Sequence, residues 1–170
     1  MKKTLLLIIL GILPLVSMAQ SGFSYRKGYR GSVEASFMGV LNSNESGFYS
    51  GIEMSHGYSF GNGAYFGAGV GFLTNAGATY ERFPIFLDAK YSFKNAVISP
   101  FVQARGGICI SGSAARGNII SVGGGLDFGR MSCKIAYSLE SNWARVTQNR
   151  VTGYIMHNRS MIAVTFGVNF

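Results

Sequence analysis

Eight charged residues share one placement in this sequence. Glu34, Glu53, Asp88, Lys90, Arg105, Asp127, Lys134 and Glu140 all fall on the polar parity of segments in which apolar and polar residues alternate. Carboxylates and cations gathered on one face can form ion pairs, or line a polar path for ions. A buried charge needs a partner, because an unpaired one is costly. Tight turns would set Asp127 opposite Lys134 across one hairpin and Asp88 opposite Arg105 across another, and cross-strand pairs of opposite charge stabilise a sheet. The favoured reading is an interior ionic network; the competing one is a gated polar path.

Other reactive side chains are sparse. His56 and His157 are the two histidines of the chain, and Ser160 follows His157 by three residues. No acid is clearly placed to orient that imidazole, as a catalytic Ser–His–acid set requires. The expectation is no catalytic residue, no metal site and no cofactor. The runs "GAGVGF" and "GGGLDFG" fit no dinucleotide fingerprint and open no helix. Cys109 falls on the polar parity near one end of its segment, and Cys133 on the apolar parity near the other end of its own. A disulfide needs Cα atoms within about 7 Å, so two free thiols are expected.

The elements that must position these residues are strands. Apolar residues recur at period two in eight segments, near 28–41, 48–60, 64–74, 82–94, 97–111, 118–129, 131–142 and 158–170. Gly61-Asn62-Gly63, Asn95-Ala96 and Gly129-Arg130 read as tight turns. Longer links fall near 42–47, 75–81, 112–117 and 143–157. Short turns at one end and long loops at the other are the pattern of an outer-membrane barrel.

Composition bears on which face is inside. Charged residues make up 13% of the chain, against about 25% for an ordinary soluble domain. The polar face, rich in Gly, Ser and Ala, would cover a water-facing surface poorly but could fill a narrow lumen. Tyr58, Phe60, Phe66, Tyr91, Phe93, Phe128 and Phe170 cluster on the apolar face near the short-turn end, as an interfacial girdle would. The apolar face is therefore read as lipid-facing. The inverted arrangement would be a lipocalin-like soluble barrel that binds an apolar ligand. In lipid every backbone polar group needs a partner, so the sheet must close. The last strand, ending on Phe170, would then pair with the first.

The N-terminus reads as a secretory signal peptide over 1–19. Lys2 and Lys3 precede an apolar run from Leu5 to Val16, and Ser17-Met18-Ala19 fits the cleavage rule. Residues 20–27 would be a short periplasmic segment and 28–170 the barrel.

The segments "FPIFLDAKYSF" (83–93), "SPFVQARGG" (99–107) and "VTFGVNF" (164–170) resemble the small eight-stranded outer-membrane β-barrel proteins of Gram-negative bacteria, the outer membrane protein β-barrel domain family. The end of the signal peptide is similar to those of the Bacteroidota. The resemblance implies an all-β, antiparallel up-and-down transmembrane barrel with both termini periplasmic. It also implies that Phe166, Val168 and Phe170 signal to the barrel-assembly machinery. Eight strands leave an interior just wide enough for side chains to fill.

The expected role is therefore structural or interactive. Alternatives are a narrow passive pore and, less favoured, a lipid A-modifying enzyme. Arg82, Arg116, Arg145, Arg150 and Arg159 lie near the long-loop end against Glu45 and Glu81. That basic rim would suit lipopolysaccharide phosphates, which Arg grips in a bidentate fashion. Arg116, Trp143, Arg145, Arg150 and Tyr154 are the expected surface contacts to an unknown partner. Nucleic acid is not expected at that location, and a monomer is.

Overall fold

The computed structural model describes residues 25–41, 47–75, 81–111, 116–148 and 151–170, with side chains for all of these except 143–148 and 151–157. The expected signal peptide, residues 20–24, Glu45 and Arg150 lie outside the described residues.

Alternation becomes eight strands: β1 (Lys27–Val40), β2 (Phe48–Phe60), β3 (Ala64–Asn75), β4 (Arg82–Ser92), β5 (Ile98–Ser111), β6 (Arg116–Phe128), β7 (Met131–Gln148) and β8 (Val151–Asn169). Each pairs antiparallel with its neighbour in sequence, and β8 returns to β1 to close a barrel. At the closing seam Val33 faces Val168 and Ser32 faces Asn169. Phe170 extends the seam: its N–H donates to Gly31 O at 2.9 Å, and the Gly31 N–H donates to Phe170 O at 2.8 Å. With no sheet edge left, the backbone groups of the barrel wall are paired without help from water.

The inside–outside question is resolved along each strand. In β4, Arg82, Pro84, Phe86, Asp88, Lys90 and Ser92 are buried, while Phe83, Ile85, Leu87, Ala89 and Tyr91 are exposed. The same holds elsewhere: Phe66, Val70, Val102, Ile120, Val122, Ile135 and Phe166 are exposed, while Glu34, Glu53, Asp127, Lys134 and Glu140 are buried. The apolar side faces outward and the charged side inward, which rejects the lipocalin-like inversion. The expected girdle residues Tyr58, Phe60, Phe66, Tyr91, Phe93, Phe128 and Phe170 are all exposed.

Two of the three short turns form as read. Gly61 and Gly63 adopt φ of 82° and 89°, and Gly129 adopts 62°, values open to glycine at little steric cost. The Asn62 side chain caps the first turn by accepting from Ala64 N–H at 3.1 Å. The third differs. β4 ends at Ser92 and β5 begins at Ile98, so residues 93–97 connect them where Asn95-Ala96 was expected to. Ser99 Oγ donates to Lys94 O at 2.6 Å and ties this wider turn down.

The largest correction is at the opposite end. Residues 143–148 and 151–157 of the expected loop 143–157 are strand. β7 and β8 run on as a hairpin, with Trp143 opposite Met156, Arg145 opposite Tyr154 and Gln148 opposite Val151. Trp143, Arg145 and Tyr154 are thus strand residues. Arg116, expected in a loop, is the first residue of β6 and faces Trp143. The ladder of β6 stops there, and that of β1 stops at Val40 opposite Met161. Beyond those points β7 and β8 form a two-stranded ribbon. Alternation fails as a signal here because a two-stranded ribbon beyond the barrel rim encloses no lumen for one of its faces to fill.

Candidate functional site

The chemistry-bearing residues converge in the lumen. Its centre is a closed cycle of five side chains from four strands. Arg105 Nη2 donates to both oxygens of Glu34 at 2.8 Å and to Asp88 Oδ2 at 3.2 Å. Gln103 Nε2 donates to the two Asp88 oxygens at 2.6 and 2.8 Å. Lys134 Nζ donates to Gln103 Oε1 at 2.8 Å and to Glu34 Oε2 at 2.9 Å, which closes the cycle. Arg105 Nη1 also donates to Glu53 Oε2 at 3.1 Å, and Ser36 Oγ donates to the same oxygen at 2.6 Å. Arg105 therefore holds three carboxylates at once, a task that suits a planar fork of donors.

Two further groups flank the cycle. Toward the tight turns, Asp127 takes Lys90 Nζ at 2.7 Å and lies 3.6 Å from Arg30 Nη2. Toward the other end, Arg82 pairs with Glu140. Among the described residues five acids and five bases are thus paired in the lumen, and Arg159, expected on the outer rim, lies half-buried on the same parity opposite Glu140. The fifteen basic and seven acidic residues of the chain then leave ten and two elsewhere. The formal charge of +8 lies outside these ten residues.

All eight expected network residues face the lumen, but their pairing was read only in part. Asp88 does face Arg105 across the β4–β5 hairpin. Asp127 does not face Lys134. The Gly129-Arg130 turn sets Phe128 opposite Met131, which puts Asp127 opposite Ser132 and Lys134 opposite Gly125. Lys134 reaches Glu34 instead, and Asp127 turns to Lys90. Arg82 was expected on the outer rim; the strand begins at that residue and carries it inside.

The lumen also holds rings that the polar parity hid: Tyr49, Tyr65, Phe86 and Phe101 are buried. Four of the five cations rest on them. Lys90 Nζ lies 3.8 Å from the Phe101 centroid, and Arg105 and Arg82 lie 4.7 Å from those of Phe86 and Tyr49. Arg30 lies 5.9 Å from that of Tyr65. Cation–π attraction strengthens where water is excluded. The glycines of β3 and β6 make room for these rings. A Cβ on Gly69 would stand 2.5 Å from the Phe86 ring, and one on Gly125 would stand 2.9 Å from the Phe101 ring. An apolar layer of Met38, Tyr49, Leu73, Ala136 and Ala163 lies beyond the cycle toward the ribbon.

Little space is left. One cavity of about 20 Å³ adjoins Glu53, Arg105 and Lys134, and another of about 10 Å³ adjoins Arg30, Asp88 and Lys90. A single water needs about 10–15 Å³ of such space, so neither admits a hydrated ion.

The remaining reactive residues are scattered. His56 is exposed on the outer face, shares a hydrogen bond with the Tyr29 hydroxyl through Nδ1, and stands edge-on to Phe170 with centroids 6.0 Å apart. His157 faces Asn142 in the ladder and Ser160 faces Leu139. Glu140, the acid nearest them in register, is held by Arg82. Cys109 is buried in the lumen, Cys133 is half-buried on the outer parity, and both are free thiols. Among the described residues no group of His, Cys, Asp and Glu is placed to hold a metal ion. Phe166, Val168 and Phe170 lie on the outer parity of β8.

No protein-family model matches the sequence, and the comparison with curated proteins finds no match. Solved structures do match. The chain is similar to Neisserial surface protein A, at 16% identity and a TM-score of 0.59 over 84% of this chain and 96% of that one. It is similar to the outer membrane enzyme PagL, at 13% identity and a TM-score of 0.60 over 81% and 98%. A structure from the de novo design of transmembrane β-barrels matches at 10% identity and a TM-score of 0.50, over 84% and 95%. A surface protein, an enzyme and a designed barrel share this architecture, so the fold alone selects no activity. What the likeness does carry is the architecture: an eight-stranded closed barrel of the outer-membrane type.

Proposed function

We propose that this chain is an integral outer-membrane protein whose barrel is a sealed, ion-paired support for a surface-exposed ribbon, without catalytic activity. The observation that carries the reading is the filled lumen. Five acids and five bases neutralise each other there, and each cavity beside them has room for about one water. A conducting path needs waters or exchangeable partners along its length, and the Arg105 cycle offers neither. Against an enzyme, Glu140 is committed to Arg82 and His56 lies on the outer face between Tyr29 and Phe170.

In this reading the tight turns and both termini face the periplasm, and the β7–β8 ribbon faces outward. Phe166, Val168 and Phe170 serve the assembly machinery, as the resemblance to the outer membrane protein β-barrel domain family implies. Arg116, Trp143, Arg145, Arg150 and Tyr154 form the surface that meets lipopolysaccharide or a protein partner. The protein works as a monomer and binds no nucleic acid. The test is single-channel recording of the folded protein in a planar bilayer. The expected result is no stepwise conductance. Reproducible steps would replace the sealed support with the narrow pore. Loss of lipid A modification in a His157→Ala variant would establish the enzyme instead.

A further inference from the structure

The charge outside the ten paired lumen residues is not spread evenly. At the tight-turn end, Arg26 precedes β1 and Lys27 opens it, Lys94 lies in the 93–97 turn, and Arg130 lies in the 129–130 turn. Arg26, Lys27 and Lys94 are exposed, and Arg130 is half-buried. Among the described side-chain acids at this end is Asp127, and it is buried with Lys90 and Arg30. The end is therefore basic at three separate places around the barrel mouth.

Aromatic rings stand directly on the membrane side of these cations. Tyr58 and Phe60 pack edge to face with centroids 5.5 Å apart, one residue short of the Gly61 turn. Tyr91 and Phe93 do the same at 5.4 Å, next to Lys94. Tyr25, beside Arg26, folds over the Gly61–Gly63 turn: a Cβ at Gly63 would stand 3.2 Å from its ring. Rings of this kind settle at the level where acyl chains give way to headgroups. Lys27 is level with Phe60, and Arg26, Lys94 and Arg130 lie one or two residues farther out, at the depth of lipid phosphates, where a basic residue attracts an anionic surface. A soluble anionic partner would have no use for exposed rings on the bilayer side of its contacts.

We infer that the tight-turn rim, through Lys27, Lys94, Arg26 and Arg130 above the Tyr58–Phe60 and Tyr91–Phe93 pairs, is a binding collar for anionic diacyl phospholipid headgroups. This rests on the membrane reading above and adds a lipid preference to it. The collar holds the barrel at fixed depth by phosphate contacts at one end, separate from whatever the ribbon meets at the other.

The experiment uses the full-length folded protein in vesicles of phosphatidylcholine doped with phosphatidylglycerol, followed by detergent extraction and native mass spectrometry of retained lipids. The expected result is enrichment of phosphatidylglycerol over phosphatidylcholine, falling as salt rises. A double variant, Lys27→Gln with Lys94→Gln, should lose about fivefold of that enrichment per lysine. Gel mobility with and without boiling verifies that each variant is folded. Equal retention of the two lipids, or an unchanged preference in the double variant, overturns the collar and leaves the membrane barrel intact. Failure of the wild-type protein to insert into either lipid overturns both.

Discussion

Arg105 and Glu34 meet across the full width of the lumen, one guanidinium nitrogen lying 2.8 Å from each carboxylate oxygen. Their strands, β5 and β1, are four places apart in an eight-strand ring and so stand on opposite walls. This contact braces the barrel through its middle, and the neighbouring carboxylates Glu53 and Asp88 depend on the same guanidinium. Arg105→Gln should therefore cost about 3–5 kcal/mol, because it leaves buried carboxylates without their cation. The midpoint of urea unfolding, followed by gel mobility, reads this. Arg105→Lys should recover only part, since one ammonium cannot span three acceptors. A full recovery would mean that the cycle needs charge and not geometry.

Gly69 of β3 is the socket of the Phe86 ring. Gly69→Ala places a methyl 2.5 Å from Met54 O and from the Phe86 ring, and should cost about 1–3 kcal/mol by overpacking. Gly106→Ala is the control, because nothing lies within 4 Å of its Cβ position. It should be neutral, or stabilising by up to about 1 kcal/mol. Equal effects at the two sites in the same urea titration would dismiss the socket.

Leu87 lies mid-strand on the outer face, opposite Gly106 and Ala68, and is 56% exposed. On a water-facing wall, Leu87→Arg would change stability by no more than about 0.5 kcal/mol. On a lipid-facing wall at this depth it should cost about 2–4 kcal/mol. Folding equilibria in vesicles distinguish the two outcomes.

Thiol chemistry gives an independent check of the register. Cys109 is 2% exposed inside the barrel, and Cys133 is half-buried on the outer parity. In a bilayer a water-soluble maleimide should label neither until the protein is unfolded, while a membrane-soluble reagent should label Cys133. Rapid aqueous labelling of Cys109 in the folded state would contradict a filled lumen.

Parity was the most legible feature of the sequence. Eight alternating segments gave eight strands in sequence order, and the charged side faced inward because lipid excludes it from the other. Pairing was less legible, because it depends on how many residues each turn consumes. Gly129-Arg130 was identified as the turn, yet a registry error of two residues separated Asp127 from its assumed partner Lys134. Contacts across the lumen, such as Lys134 with Glu34, depend on the barrel's closure and leave no local trace. Arg82 was misplaced because it begins β4, where an end residue reads equally well as loop. Phe86 and Phe101 were missed because aromatic rings on a polar parity look like breaks in the pattern. The glycines opposite them were the signal that could have found them. The ribbon of β7 and β8 was missed because, past the rim, a strand has no lumen for one of its faces to fill.

The cross-lumen bracing has a kinetic corollary. Until β8 reaches β1, the sheet is an open trough, and Glu34, Arg105 and Lys134 keep their hydration on its concave side. Zipping the seam from Val40–Met161 to Ser32–Asn169 brings the opposite walls together and strips water from all ten charges in one event. A half-zipped barrel would strand dehydrated ions without their counterparts, so such species should be short-lived. Ring closure is thus the commitment point of folding: reversible wetting lies before it, and escape afterwards requires rehydrating the entire network at once.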